Sequence, residues 1–543
     1  MPGCWSWTHG TGCTWTRRRC WTRSGPSSAR TEGAVQHAPC SDEQFSLPPG
    51  ADPSRRSILA PVAVRARPPA ALTRKRKHPN RSTAMSLTET AVSDRFRDLA
   101  DRLTGRVVTP ADPDWDVERL GWNLAADQRP EAVVVPADAS DIAVVVGFAR
   151  DLGLRVVPQG TGHLAAPLGD LSGAVLLHTS RLREVEVDVA AAQVRAGAGV
   201  LWGEVTSALA PHGLAALAGS SPDVGVAGYL LGGGYSWMAR ERGLGCSAVT
   251  AIDVVTADGR QRHVTADTEP DLFWALRGGG GNTAIVTALT FGVFPVVTVY
   301  AGMLLYPIAR AGEVLRAYEE WTRDLTEAAT TCVRLLHVPP LPDLPDFLRG
   351  QAFVGVDGAI DLPEAEAAAV LEPLRALGPA IDTFGDLAAA QLGLVHMDPP
   401  QPVPAIGDGL ILDDLPEAAI EALLAAAGPE AQTALLAIDL RHLGGAAGRP
   451  AEHGGAVDHL PGRFLVYAVG MLPDPALAPV LEAEVAGLRA ALEPWASGRD
   501  YSNFREAAVP PSRFYDTATL ERLRAIKQAY DPERVIRTAH ELD

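Results

Sequence analysis

The sequence has no run of roughly eighteen consecutive apolar residues with few charges, so a membrane-spanning helix is not expected. Cysteine is scarce, with six in 543 residues. Four of these (Cys4, Cys13, Cys20 and Cys40) crowd the start of the chain, leaving Cys246 and Cys332 far apart. Two distant thiols make neither a disulfide framework nor a metal site, and a reducing, cytoplasmic setting fits best. Positive charge is also in deficit: 48 Lys/Arg against 65 Asp/Glu give a net charge of -17. That balance argues against a nucleic-acid-binding surface over most of the protein, because attraction to phosphates needs clustered cations.

The exception is residues 1–84, which hold 14 Lys/Arg and 4 Asp/Glu and leave about -27 on the remainder. This leader lacks helical or strand periodicity and is rich in Arg, Ser and Pro, so it reads as disordered, or as a misplaced start with the protein opening at Met85. The alternative is an anion-binding patch at RKRK, Arg74 to Lys77.

The length and the 47% apolar share predict at least two packed domains. Ser93 to Leu103 is expected to form an amphipathic helix. EAVVVP then reads as a buried strand, Ser140 as an N-cap, DIAVVVGFARDLG as a helix stopped at Gly153, and LRVVPQ as a second strand. This unit ends in Gln159-Gly160-Thr161-Gly162-His163, a glycine loop at the carboxyl end of a strand, where α/β folds place ligands. Further strands (Ala174 to His178, Glu184 to Asp188, Gln193 to Ala196) and a helix (Leu201 to Ala210) precede AGSSPDVGVAGYLLGGG. A hairpin follows, with Asp258-Gly259 as a type I′ turn, and then DLFWALRGGGGN. Beyond Val296 the chain turns to Ala- and Glu-rich helices alternating with strands.

Glycine permits close backbone approach and positive φ, so successive N–H groups can converge on phosphate oxygens. Three such loops suit a dinucleotide better than a single phosphate. Gly160-Thr161-Gly162 lacks the third glycine and the following helix of a Rossmann turn, and no P-loop occurs, so NAD and ATP drop out.

The order RPEAVVVPADASDIAVVVGFAR, VVPQGTGH, GSSPDVGVAGYLLGGGYSWMARERGLG, DLFWALRGGGGNTAIVT and YSNF with RLRAIKQAYDPERVI resembles the berberine-bridge-enzyme-like branch of the vanillyl-alcohol-oxidase/p-cresol-methylhydroxylase (PCMH) flavoproteins. The resemblance runs from about Gly121 to Phe294 and again from Tyr501 to the end, with only Leu443-Gly444-Gly445-Ala446 matching between. It implies an α+β fold in which a PCMH-type FAD-binding domain in two parts (85–295 and 492–543) encloses an inserted α+β substrate domain (296–491), an antiparallel sheet covered by helices. It also implies FAD bonded through its 8α-methyl to His163.

The resemblance further implies that the flavin is held by Pro158, Gln159, Gly160, Thr161 and Gly162, and by Gly219, Ser220, Ser221, Val224 and Gly225. Gly228, Tyr229, Gly232, Gly233 and Gly234 follow in the same glycine-rich segment, with Ile285, Val286 and Asn503 from elsewhere. Ser221 replaces the cysteine of doubly linked members, so one covalent bond is expected. Cys246 reads as a buried small hydrophobe. Val224 occupies the position guarding the reactive flavin carbon, and its small size resembles oxygen-admitting members, which points to an oxidase using O2.

Tyr501-Ser502-Asn503 matches a Tyr-x-Asn motif whose tyrosine is a catalytic base in some relatives, a role needing a positive neighbour or hydrogen bonds to the phenolate. Packing against the flavin is the other reading. His459 falls where relatives line the substrate cavity, and reads as structural. Ser247 and Ala248 replace a common Asp-Asn. The expected activity is oxidation of an alcohol or secondary metabolite; a dehydrogenase or cyclase with another acceptor, and a non-catalytic flavin carrier, are the alternatives. Neither nucleic acid, membrane nor metal is expected, and the oligomeric state is left open.

Overall fold

The run from Ala132 to Gln159 folds as strand, helix, strand because its apolar residues bury both faces of two parallel strands and one stripe of the covering helix. These coordinates are a computed structural model describing residues 95–342, 346, 348–399 and 401–543, together with Cys4–Thr8 and Thr14–Arg18. Most of the leader, the Arg74–Lys77 patch and Met85 lie outside the described residues. Within the leader, Cys4–Thr8 pairs antiparallel with Thr14–Arg18; Trp and Thr favour extended backbone.

The first sheet joins β1 (Arg106–Val108), β2 (Ala132–Val135), β3 (Arg155–Gln159) and β4 (Ala174–His178), in the order β1-β2-β4-β3, with α1 (Ala139–Asp151) crossing between β2 and β3. The N-cap of α1 is Asp138, whose carboxylate accepts from the amides of Ser140 (2.8 Å) and Asp141 (3.1 Å). Ser140, the expected cap, therefore falls inside the first turn: a carboxylate that can satisfy two of the free amides holds the position.

The second sheet is antiparallel and contains β5 (Val185–Asp188), β6 (Gln193–Gly197), β7 (Val249–Val255), β8 (Gln261–Val264) and β9 (Ile285–Gly292), in the order β8-β7-β9-β6-β5. Helices α2 (Trp202–Leu209), α3 (Val226–Leu231) and α4 (Pro270–Leu276) pack against it. The β7–β8 hairpin forms, but not through a type I′ turn. Gly259 has φ 78° and Asp258 is not among the positive-φ residues. Thr256 N–H bonds the Arg260 carbonyl at 3.0 Å, enclosing three residues. The Asp258 carboxylate accepts from the Thr256 hydroxyl (2.6 Å) and the Arg260 amide (3.2 Å), which favours the longer loop.

The third sheet is antiparallel. Its long strands are β10 (Thr298–Pro307), β11 (Ala329–His337), β12 (Ala352–Ile360), β13 (Ala405–Leu412), β14 (Ala437–His442) and β15 (Phe464–Met471), in the order β10-β12-β11-β14-β15-β13. Strand periodicity sends Val333, Leu335, Ile438, Leu440, Phe464 and Val466 to one face, where α5 (Ala311–Arg323), α6 (Glu364–Arg375), α7 (Glu417–Ala427) and α8 (Ala478–Leu492) cover them. The alternate positions put Arg334, Asp357, Asp439, Arg441 and Tyr467 on the opposite face. No helix among the described residues is long and apolar enough to cross a membrane.

After α8 the chain returns to the first sheet. Val156 donates to the Val535 carbonyl (2.7 Å) and accepts from Arg537 N–H (2.9 Å). The fully buried Asp531 fixes this return: it accepts from Lys527 Nζ (2.6 Å), Val535 N (2.7 Å) and Ile536 N (2.9 Å), just beyond α9 (Thr517–Tyr530).

Candidate functional site

The glycine loop after β3 is crossed by Gly121-Trp122-Asn123, with Trp122 N–H on the Thr161 carbonyl at 2.7 Å. Gly162 has φ 77°, and a Cβ there would stand 2.6 Å from Gly121 Cα, so the crossing requires glycine. Trp122 stacks on His163 with ring centroids 4.4 Å apart, and its indole N–H donates to Asp223 Oδ2 at 2.5 Å. His163 Nδ1 lies 2.7 Å from Thr161 Oγ1, and Nε2 lies 3.9 Å from Asp223 Oδ1. The imidazole keeps 28% exposure in this cleft. Burial nevertheless outweighs the Asp223 and Asp398 charges and lowers its pKa to about 4, so it is neutral near pH 7.

The second loop joins the first through that aspartate. Ser221 Oγ donates to Asp223 Oδ1 at 2.7 Å, and a Cβ on Gly225 would touch Thr161. Val224 is half-buried against the second-sheet core, and its carbonyl accepts the first amide of α2. Gly219 and Gly234 both lie against the ring of Tyr229.

The turn at Gly232–Gly234, which ends the second glycine segment and forms the third loop of this site, is pinned by Tyr501. Its hydroxyl accepts from Gly234 N (2.9 Å), Tyr235 N (3.1 Å) and Asn503 Nδ2 (3.0 Å), and its ring is 3% exposed. Burial pushes the phenol up to about 12 against these three donors, opposite in direction to what a base requires. Asn503 also donates to the Tyr229 carbonyl and fills the space beside Gly232, where any side chain would collide with it.

Several features here fit a flavin. Among the described residues, the amides of 160–163 and 219–221 donate to no backbone carbonyl. Tyr229 Oη and Gln159 Nε2 are buried without a partner. A Cβ at Gly228 would meet open space. Converging free N–H groups and orphaned polar atoms between loops are what a polar dinucleotide would satisfy.

The structure thus brings together Gln159 to His163, Gly219 to Gly225, Tyr229 to Gly234, Tyr501 and Asn503. It does not bring in the side chains of Ile285 and Val286, which are buried in separate cores on the two sides of β9. Pro158 is a strand residue of β3. Cys246 is buried, its Sγ donates to the Val457 carbonyl at 3.2 Å, and burial lifts its thiol to about 12. His459 pairs with its neighbour Asp458 at 2.6 Å.

Facing these loops is the polar side of the third sheet. Fully buried His396 lies 2.7 Å from Asp357 and 2.9 Å from Asp439 through its two nitrogens. Arg334 donates to Asp439 (2.8 Å) and to the His396 carbonyl (2.7 Å). Arg441 reaches across to Ser220 Oγ at 3.1 Å, passing Phe504 at 4.9 Å and Trp237 at 5.8 Å. The Arg334 and His396 charges hold Asp439 well below the usual carboxylate range despite its burial. Sequence reading missed this cluster because its members come from three strands and a loop; Asp and Arg at alternate positions of Ala437–His442 were the available signal.

The family model described as an FAD binding domain matches residues 130–265, and that described as berberine and berberine-like matches 500–541. The FAD-linked oxidoreductase pytB of Aspergillus terreus is 35% identical over 189 residues, covering 35% of this chain and 23% of its own length. The (R)-6-hydroxynicotine oxidase of Paenarthrobacter nicotinovorans is 27% identical over 474 residues, covering 81% of this chain and 97% of its own. Among solved structures, BBE-like 1 of Physcomitrella patens superposes with a TM-score of 0.72 at 20% identity, over 82% of this chain and 99% of that one, which establishes a shared fold.

Proposed function

Because this chain is a berberine-bridge-enzyme-like FAD-linked oxidoreductase, we propose that it oxidises an alcohol or secondary metabolite, with FAD held through one covalent bond to His163 and dioxygen as the final acceptor. The observation that carries this reading is the setting of His163. A neutral imidazole sits beside Asp223, between loops whose amides are free, and bonding to the flavin methyl needs an unprotonated ring nitrogen.

When bound, FAD supplies the two-electron acceptor for a substrate hydride. The chain's own contribution is to hold and orient. Tyr501 and Asn503 fix the third loop, Trp122 braces His163, and Asp223 ties the first two loops together. Ser221 spends its hydroxyl on Asp223 and carries no thiol, which supports a single link. The small side chain of Val224 supports oxygen access, in line with the oxidase activity of the nicotine oxidase relative. The polar sheet face in 296–491 would receive the substrate. Buried, unpaired Cys246 and Cys332 support a reducing compartment.

The test is acid precipitation of protein expressed from Met85, followed by visible spectra of both fractions. A yellow pellet is expected, with oxygen uptake and peroxide formation on at least one of benzyl alcohol, cellobiose and 6-hydroxynicotine. Folded protein with no flavin in either fraction would overturn the reading. Flavin reduction without peroxide would make the enzyme a dehydrogenase.

A further inference from the structure

The three groups around the Tyr501 hydroxyl are all N–H donors, burial still pushes the phenol up to about 12, and among the described residues no acceptor is hydrogen-bonded to its proton. Another tyrosine is placed differently. Tyr467 lies on the polar face of the third sheet, directly across from Asp439 on β14 and Gly409 on β13, and Asp439 in turn pairs with Arg334 on β11. Its hydroxyl donates to Glu506 Oε1. A Cβ on Gly407 would stand 2.5 Å from that oxygen, so the glycine leaves the space the hydroxyl occupies. The Tyr467 ring packs on Phe504 at 5.0 Å, and Phe504 packs on Tyr501 at 5.4 Å.

Glu506 stands between this sheet and the His163 loop. Its Oε2 lies 3.5 Å from Asn123 Nδ2, and Asn123 N–H approaches the Gly162 carbonyl at 3.5 Å. Its own amide is held by Asp408 Oδ1 at 3.0 Å, and Arg505 is turned to Asp408 and Asp500. Among the described residues no Lys, Arg or His forms an ion pair with Glu506. The carboxylate therefore has a phenol, the Asn123 amide and the Gly407 backbone for company, in a half-buried position, and burial outweighs these bonds so that it is poised to gain a proton.

We propose that Tyr467 and Glu506 together accept the proton released in substrate oxidation, Tyr467 as the group touching substrate and Glu506 as the group behind it. As the substrate C–H bond breaks and its hydride leaves to oxidised flavin, the substrate O–H or N–H proton passes to Tyr467 Oη. The phenol's own proton moves to Glu506 Oε1. The substrate gains a C=O or C=N bond, Glu506 ends as the acid, and Tyr467 ends unchanged. This rests on the oxidoreductase reading above.

Burial places the Glu506 carboxyl at about 7, which matches a group that must both take and release a proton near neutral pH. The charges facing the pair are Asp408 on β13, itself paired with Arg505 and Arg489, and Asp439 and Asp398, which further disfavour a free Tyr467 phenolate. That is a reason for the phenol to hand its proton on as it accepts another.

Infrared difference spectroscopy of the flavin-loaded full chain, titrated from pH 5 to 9 without substrate, tests the protonation. A carboxylic-acid carbonyl band that disappears with a midpoint near 7, is missing in Glu506→Gln and moves in Tyr467→Phe is expected. An ionised Glu506 throughout that range overturns the proposal. In stopped-flow flavin reduction with whichever of benzyl alcohol, cellobiose or 6-hydroxynicotine reduces the wild type, Tyr467→Phe should lower the limiting rate roughly 100-fold with little change in half-saturation. Glu506→Gln should flatten the rise of rate with pH through 7. A wild-type limiting rate in Tyr467→Phe overturns the proposal. A wild type without flavin would instead overturn the function reading, and the same infrared titration, run on the flavin-free chain, would then judge the pair.

Discussion

Replacing Tyr501 by Phe removes one oxygen and leaves three buried N–H donors facing a ring edge. The Asn503 amide can turn toward the Tyr229 carbonyl, which it already contacts at 3.0 Å. The Gly234 and Tyr235 amides are fixed by the backbone, and at 3% exposure of Tyr501 water has little access to them. Each unsatisfied buried donor costs about 1–3 kcal/mol, so a loss of about 2–6 kcal/mol is expected, concentrated in the third loop. Differential scanning calorimetry of wild type and variant, with flavin absorbance followed in parallel, measures it. The variant should unfold at lower temperature and release or under-incorporate flavin, and its residual activity should scale with flavin content. A Tyr501→Phe protein with unchanged midpoint and full flavin that has nevertheless lost turnover would refute this reasoning. The phenol would then serve proton transfer and not loop anchoring.

Further outcomes follow from other parts of the molecule. His163→Ala should move the yellow colour from the acid pellet to the supernatant while the fold, read by circular dichroism, persists. Asp439→Asn strips the carboxylate from between buried Arg334 and His396 and should cost about 3–5 kcal/mol in denaturant unfolding, since breaking a buried pair leaves uncompensated charge. Asp531→Asn should release the C-terminal return, seen as faster amide exchange across 517–543, because Lys527 Nζ loses its counter-charge. The Glu506 carboxyl is raised in the folded state, so its stabilising contribution is full below about 4.5 and is lost as pH rises through about 7. Relative to Glu506→Gln, the wild type should lose at most about 3 kcal/mol over that window, measured by urea unfolding at several pH values.

Much was legible along the chain, because it is local. The first glycine loop and its histidine, the strand-helix-strand unit before them, and Ser221 in place of cysteine are contiguous patterns whose chemistry does not depend on distant residues. Local misreadings were competitions between neighbours: Asp138 outdid Ser140 as a cap because it satisfies two amides, and Asp258 drew Thr256 and Arg260 into a longer turn. What tertiary structure decided was how groups far apart in sequence meet. Tyr501 fits a base in its motif, but only the fold shows that burial outweighs the three N–H donors on its oxygen and pushes the phenol up to about 12. Tyr467 and Glu506 are 39 residues apart and carry no motif. Asp357, Asp439 and Arg441 meet because antiparallel register aligns alternate residues of separate strands on one face, and a loop brings His396 against both carboxylates. Sequence fixes which residues can do chemistry, since side-chain identity and short-range periodicity are written in it. Register and burial decide which of them do, because hydrogen-bond partners and desolvation are set by neighbours the chain reaches only by folding.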